Sequence, residues 1–81
     1  MTDVDARGTL CPQPIIDVAR AARAATGGSH VRLLADDPAA DADVPAWCRM
    51  RGHDLLSRSE LPASEGGGVA YTIELRSSAG A

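Results

Sequence analysis

Cys11-Pro12-Gln13-Pro14 is the stretch of this chain best suited to covalent chemistry. Proline fits the first turn of a helix, where backbone N–H groups have no intrahelical acceptor. Two prolines one residue apart are tolerable only there. The spacing therefore predicts a helix from about Pro12 to Ala25, with Cys11 at or beside its N-cap. At that place a sulfur faces unpaired N–H groups and the positive end of the helix dipole. Such surroundings favour the thiolate, the nucleophilic form of cysteine. Pro12 and Pro14 would then fix the first turn and aim the sulfur, as well as starting the helix.

Other residues can be weighed against this centre. Ile16 lies about 100° around the helix from Ile15, off the apolar stripe and one turn from Cys11. With Gln13 and Arg20 it is expected to form a docking surface for partner proteins. Arg7 admits two readings: a cation stabilising a thiolate, or a solvated ion pair with a nearby aspartate. Asp36-Asp37-Pro38 is a turn signal. One of its acids is expected to cap the turn and the other to meet a partner's basic surface, so Asp37 joins the docking candidates. A carboxylate close to Cys11 would oppose the helix dipole by raising the thiol pKa. Cys48 follows Trp47 on an apolar stripe and reads as a core thiol. Its alternative roles are a disulfide with Cys11 or a second sulfur acceptor. Cys11, Cys48, His30 and His53 fit no zinc-ligand spacing, so no metal is expected. His53, just after Gly52, suits capping or packing, and His30 a solvated strand start.

The elements that must position these residues follow from periodicity. Val4 and Ala6 alternate with Asp3, Asp5 and Arg7, a short strand, and Gly8 marks a bend. Ile15, Val18, Ala19, Ala22 and Ala25 form the buried stripe of the first helix, which Gly27-Gly28 stops. Val31 to Ala35 is the next strand. Pro45 argues for an irregular start at 39–43, with the second helix near 44–51 and ended by Gly52. His53 to Leu61 reads as a third strand and Gly66-Gly67-Gly68 as a hairpin loop. Val69, Tyr71, Ile73 and Leu75 alternate with polar or small residues in the clearest strand of all. The order β-α-β-α-β-β predicts an α/β (α+β) two-layer sandwich, a four-stranded mixed sheet with two helices on one face. Strands one and two, joined by a helix, should be parallel. Their ends then share one rim, where Cys11 and Asp36-Asp37 become neighbours.

Composition narrows the function classes. The 81 residues suit one domain, with an ordered core at about 4–76 and a frayed tail at 77–81. Trp47 and Tyr71 are the only aromatics, so the core must be aliphatic. The net charge is −3 and all the basic side chains but the histidines are arginines, a balance that disfavours direct grip on nucleic acid. No apolar stretch approaches the ~20 residues of a membrane span. The acidic start, Met1 to Asp5, does not read as a signal peptide. A cytoplasmic, reducing setting with free thiols is the expectation.

Taken together, several motifs resemble the TusA/SirA/YhhP family of small sulfur-carrier proteins. They are Asp5-Ala6-Arg7-Gly8, Cys11-Pro12-Gln13-Pro14 (the family's CPxP), Ala35-Asp36-Asp37-Pro38, Asp43-Val44-Pro45-Ala46-Trp47-Cys48, Gly52-His53-Asp54-Leu55 and Tyr71-Thr72-Ile73. They run in order through residues 4–76. Thr9 departs from the pattern, standing where an apolar residue is common, and the 62–68 loop is rich in glycine and serine. The resemblance implies the same β-α-β-α-β-β sandwich and a sulfurtransferase-like carrier holding sulfur as a persulfide on Cys11. It implies no cofactor, a cysteine desulfurase or rhodanese-like sulfur donor, and a downstream sulfur-acceptor protein. Pathways implied are tRNA thiolation, molybdenum cofactor maturation or sulfur oxidation. Size and a single site suit a monomer that docks transiently. The competing reading is a redox-sensing or regulatory module that uses Cys11 with Cys48. An RNA-binding sandwich is disfavoured by the acidic charge and scarce aromatics.

Overall fold

A computed structural model describes residues 2–10, 12–25 and 28–76. The expectations placed on Cys11 itself, on Gly27 and on the tail at 77–81 fall outside them. The chain runs β1 (Thr2–Asp5), α1 (Gln13–Ala24), β2 (His30–Ala35), α2 (Ala40–Arg51), β3 (Asp54–Glu60), a short 3-10 turn (Ala63–Glu65) and β4 (Val69–Glu74). The sheet order is β1-β2-β4-β3. β1 and β2 are parallel, with Val4 opposite Leu33, while β4 is antiparallel to both β2 and β3. The expected α+β sandwich is the architecture found.

The alternation read in β4 is the reason for its place. Tyr71 and Ile73 turn toward the helices, as do Val31, Leu33 and Ala35 of β2. Val18 of α1 and Val44, Trp47 and Cys48 of α2 close the core over them. Pro14 is also fully buried, so the second proline of the motif anchors the first turn of α1 in the core.

α2 begins earlier than Pro45 predicts. Its regular span starts at Ala40, and the expected irregular stretch at 39–43 is already helical at most positions. Three facts account for the difference. The Asp37 carboxylate accepts the Ala39 N–H at 3.0 Å. The first turn is wound tightly, with Ala40 N–H donating to the Asp37 carbonyl and Asp41 N–H to that of Pro38. Asp41 and Asp43 lie where the helix dipole favours acids. Pro45 removes one backbone bond, a cost of about 3 kcal/mol. Burying Val44, Trp47 and Cys48 offsets it, since a large apolar side chain contributes about 1.5–3 kcal/mol when fully buried.

β3 is an edge strand, and the register slips between Leu55 and Ser57, leaving Leu56 as an exposed bulge. Such a bulge discourages further strand pairing at an edge. Among the described residues, no helix is long and apolar enough to cross a membrane.

Candidate functional site

The register fixes what meets at one rim. β1 and β2 end there because they are parallel. Ala35 pairs with Val69 and Val69 with Glu60, so β3 ends and β4 begins at the same rim. Three connections therefore converge: the loop after β1, the turn after β2 and the β3–β4 link.

The loop after β1 is wound tightly on itself. Ala6 N–H donates to the Leu34 carbonyl at 2.8 Å, continuing the strand pairing one residue further. The Ala6 carbonyl then accepts both the Thr9 hydroxyl at 2.6 Å and the Thr9 N–H at 3.3 Å. Thr9, the departure from the family pattern, is thus held by its own hydroxyl. Gly8, at φ +86°, sits in the left-handed region open to glycine. Its N–H donates to the Asp36 carboxylate at 3.0 and 3.1 Å. That bond joins the loop after β1 directly to the turn after β2.

Leu10 and Pro12, the chain neighbours of Cys11, are both exposed, Leu10 by 77 %. The Leu10 carbonyl accepts the Gln13 N–H at 2.9 Å, and the Pro12 carbonyl accepts that of Ile16 at 3.0 Å. Pro12 is the N-cap of α1, and no acidic residue lies in the first turn.

The docking candidates fall into two groups. Ile16 and Arg20 are exposed and one turn apart on α1, with Ile16 43 % accessible. The Gln13 amide instead donates to Asp17 at 2.8 Å and is half-buried. Asp37 lies across the rim and caps the turn into α2. Together with Asp36, Asp41, Glu60, Leu61 and Tyr71 it lines an open cleft of about 300 Å³. Sequence reasoning missed two exposed apolar side chains, Leu10 and Met50. Leu10 precedes a turn with no strand or helix to bury it, and Met50 lies off the stripe of Val44, Trp47 and Cys48. Those were the available signals.

For Arg7 the ion-pair reading is the one present. Its Nε and Nη2 donate to the two Asp5 oxygens at 3.0 and 2.8 Å. Its Nη1 donates to the carbonyls of Glu65 at 2.6 Å and Gly67 at 3.2 Å. The Arg7 side-chain bond, then its backbone N–H, hold the Asp5 carboxyl down at about 2.

Cys48 is the core thiol expected. It is 2 % exposed, and burial pushes its pKa up to about 11. Few such thiols are ionised at neutral pH, which opposes a role as attacking thiolate. His53 stacks on Trp47 with ring centroids 4.8 Å apart, and its Nδ1 accepts the Arg76 N–H at 3.1 Å. Its packing lowers its pKa. His30 is exposed at the start of β2. Among the described residues no three His, Cys, Asp or Glu side chains gather as a metal site.

The family model described as sulfurtransferase TusA matches residues 2–75. That span covers every element building the rim, from β1 to the residue after β4, and the chain belongs to the TusA sulfurtransferase family.

Proposed function

We propose that this sulfurtransferase-family protein carries sulfane sulfur as a persulfide on Cys11. The Cys11 thiolate attacks the outer sulfur of a donor persulfide. A new S–S bond forms, the old one breaks, and the donor leaves as a thiolate. An acceptor thiolate then attacks the outer sulfur on Cys11, which returns as a thiolate. Both steps are exchanges of one sulfur–sulfur bond for another, with no net oxidation. They need an accessible nucleophile and no metal or cofactor.

The observation that carries this reading is the exposed start of α1. Both chain neighbours of Cys11 face solvent, and the first turn holds no acid to compete with a thiolate for the helix dipole. Leu10, Ile16 and Arg20 supply an apolar and cationic surface beside it for a cysteine desulfurase or rhodanese-like donor and for the acceptor protein. A cytoplasmic monomer delivering sulfur for tRNA thiolation, cofactor maturation or other sulfur metabolism fits this chemistry. The rival module, in which Cys11 senses redox state with Cys48, is disfavoured by the burial of Cys48.

Intact mass after incubation with a cysteine desulfurase and cysteine tests the proposal. The expected result is a reductant-sensitive gain of one sulfur atom in the wild type and in Cys48→Ser, and none in Cys11→Ser. A disulfide between the two cysteines without sulfur gain would favour the redox module instead.

A further inference from the structure

We infer that the Gly66-Gly67-Gly68 loop is a working part of the cysteine rim, locked to it by Arg7, and that Arg7, Gly66 and Gly68 are positioning residues for sulfur transfer. The inference rests on the proposed carrier function for its consequence, but its geometry stands apart from it.

Arg7 is two residues past β1 and spends its guanidinium on two distant parts of the rim. One edge grips Asp5 through two hydrogen bonds. Nη1 crosses to the β3–β4 link and holds the carbonyls of Glu65 and Gly67. The next residue, Gly8, is bound to Asp36 after β2. All three connections at the rim are thereby tied through two consecutive residues, three positions before Cys11 in the chain. With Asp5 held at about 2, the ion pair persists throughout the neutral range. The three-pronged bonding uses the planar fork of an arginine, which a lysine ammonium cannot reproduce.

The glycines are shaped to this clamp. Gly66 and Gly68 have φ of +92° and +87°, which side chains rarely adopt. A Cβ on Gly66 would stand 2.6 Å from Arg7 Nη1. A Cβ on Gly68 would stand 2.9 Å from the Ala35 carbonyl oxygen and 3.2 Å from Arg7 Cδ. The loop therefore closes on the arginine and on the end of β2 at distances that only glycine permits. A loop some 55 residues beyond the cysteine becomes one wall of the surface that a sulfur donor must approach.

Four variants test the inference: Arg7→Gln, Arg7→Lys, Gly66→Ala and the double Arg7→Gln/Gly66→Ala. Amide hydrogen exchange at Gly8 and Gly67 should accelerate about tenfold in Arg7→Gln, as a local opening rather than a global one. Arg7→Lys should not restore it, and the double variant should be no worse than the more affected single. Loading of Cys11 from a thiosulfate-charged rhodanese should slow about fivefold, because a docked donor needs the rim in place. Loading from polysulfide in solution should change less than twofold, because a small donor does not. Unchanged exchange, full rescue by lysine or an equal loss from both donors would each overturn the inference. If the wild type takes sulfur from neither source, the carrier reading fails, and the exchange result alone decides whether the clamp exists.

Discussion

Two helices begin at the same rim of this protein, and the chain treats their beginnings in opposite ways. α2 is entered through Asp37, whose carboxylate holds the Ala39 N–H, and it carries Asp41 and Asp43 in its first turn. Its dipole is answered by acids of its own. α1 is entered through two prolines and has no acid in its first turn. Its neighbours Leu10 and Pro12 are exposed, where those of α2 are tied into turns and ion pairs. One start is finished for stability and the other is left open to an incoming anion. The open one is next to Cys11. The difference locates the chemistry more firmly than the cysteine alone does, since Cys48 is equally a cysteine and is sealed in the core.

If that contrast is sound, damage at the two starts should have different consequences. The largest effect on stability is expected for Asp41→Ala on α2. Asp41 accepts the buried Tyr71 hydroxyl and a two-point bond from Arg58 of β3, tying helix to sheet. Removing it strands the phenol, at a cost of about 1–3 kcal/mol. A denaturant titration would measure the loss, and Cys11 reactivity in the folded protein should be unchanged. Asp37→Ala removes the cap at the same helix and should cost about 1 kcal/mol, read the same way. At α1 the pattern reverses. Gln13→Glu places an acid in the first turn, where it should leave stability nearly unaltered. It should slow alkylation of Cys11 at neutral pH by roughly two- to fivefold, the size of a helix-terminal charge interaction. Equal reactivity before and after would mean that the missing acid is incidental.

How much of this was legible in the sequence depended on the range of the interaction. The strict alternation of β4 and the Pro-Gln-Pro start of α1 are local patterns, and both elements form where they were expected. The meeting of the two loops followed from topology, because parallel neighbours must end on one side, and the Gly8–Asp36 bond makes that meeting direct. The early start of α2 was hidden because Pro45 is a strong local signal that packing of Val44, Trp47 and Cys48 overrides. The partners of Arg7 were hidden for the opposite reason. Asp5 was within reach of local reasoning, but the carbonyls of Glu65 and Gly67 lie about sixty residues away and carry no side-chain signature. Gly66-Gly67-Gly68 announced a loop without announcing what it closes on.

The rate of Cys11 alkylation by iodoacetamide as a function of pH, measured in a Cys48→Ser background, tests the central claim most directly. An open helix start should bring the midpoint below the value of about 8.5 that an unperturbed cysteine shows. A midpoint at or above that value would contradict the claim that the start of α1 is built to hold a thiolate.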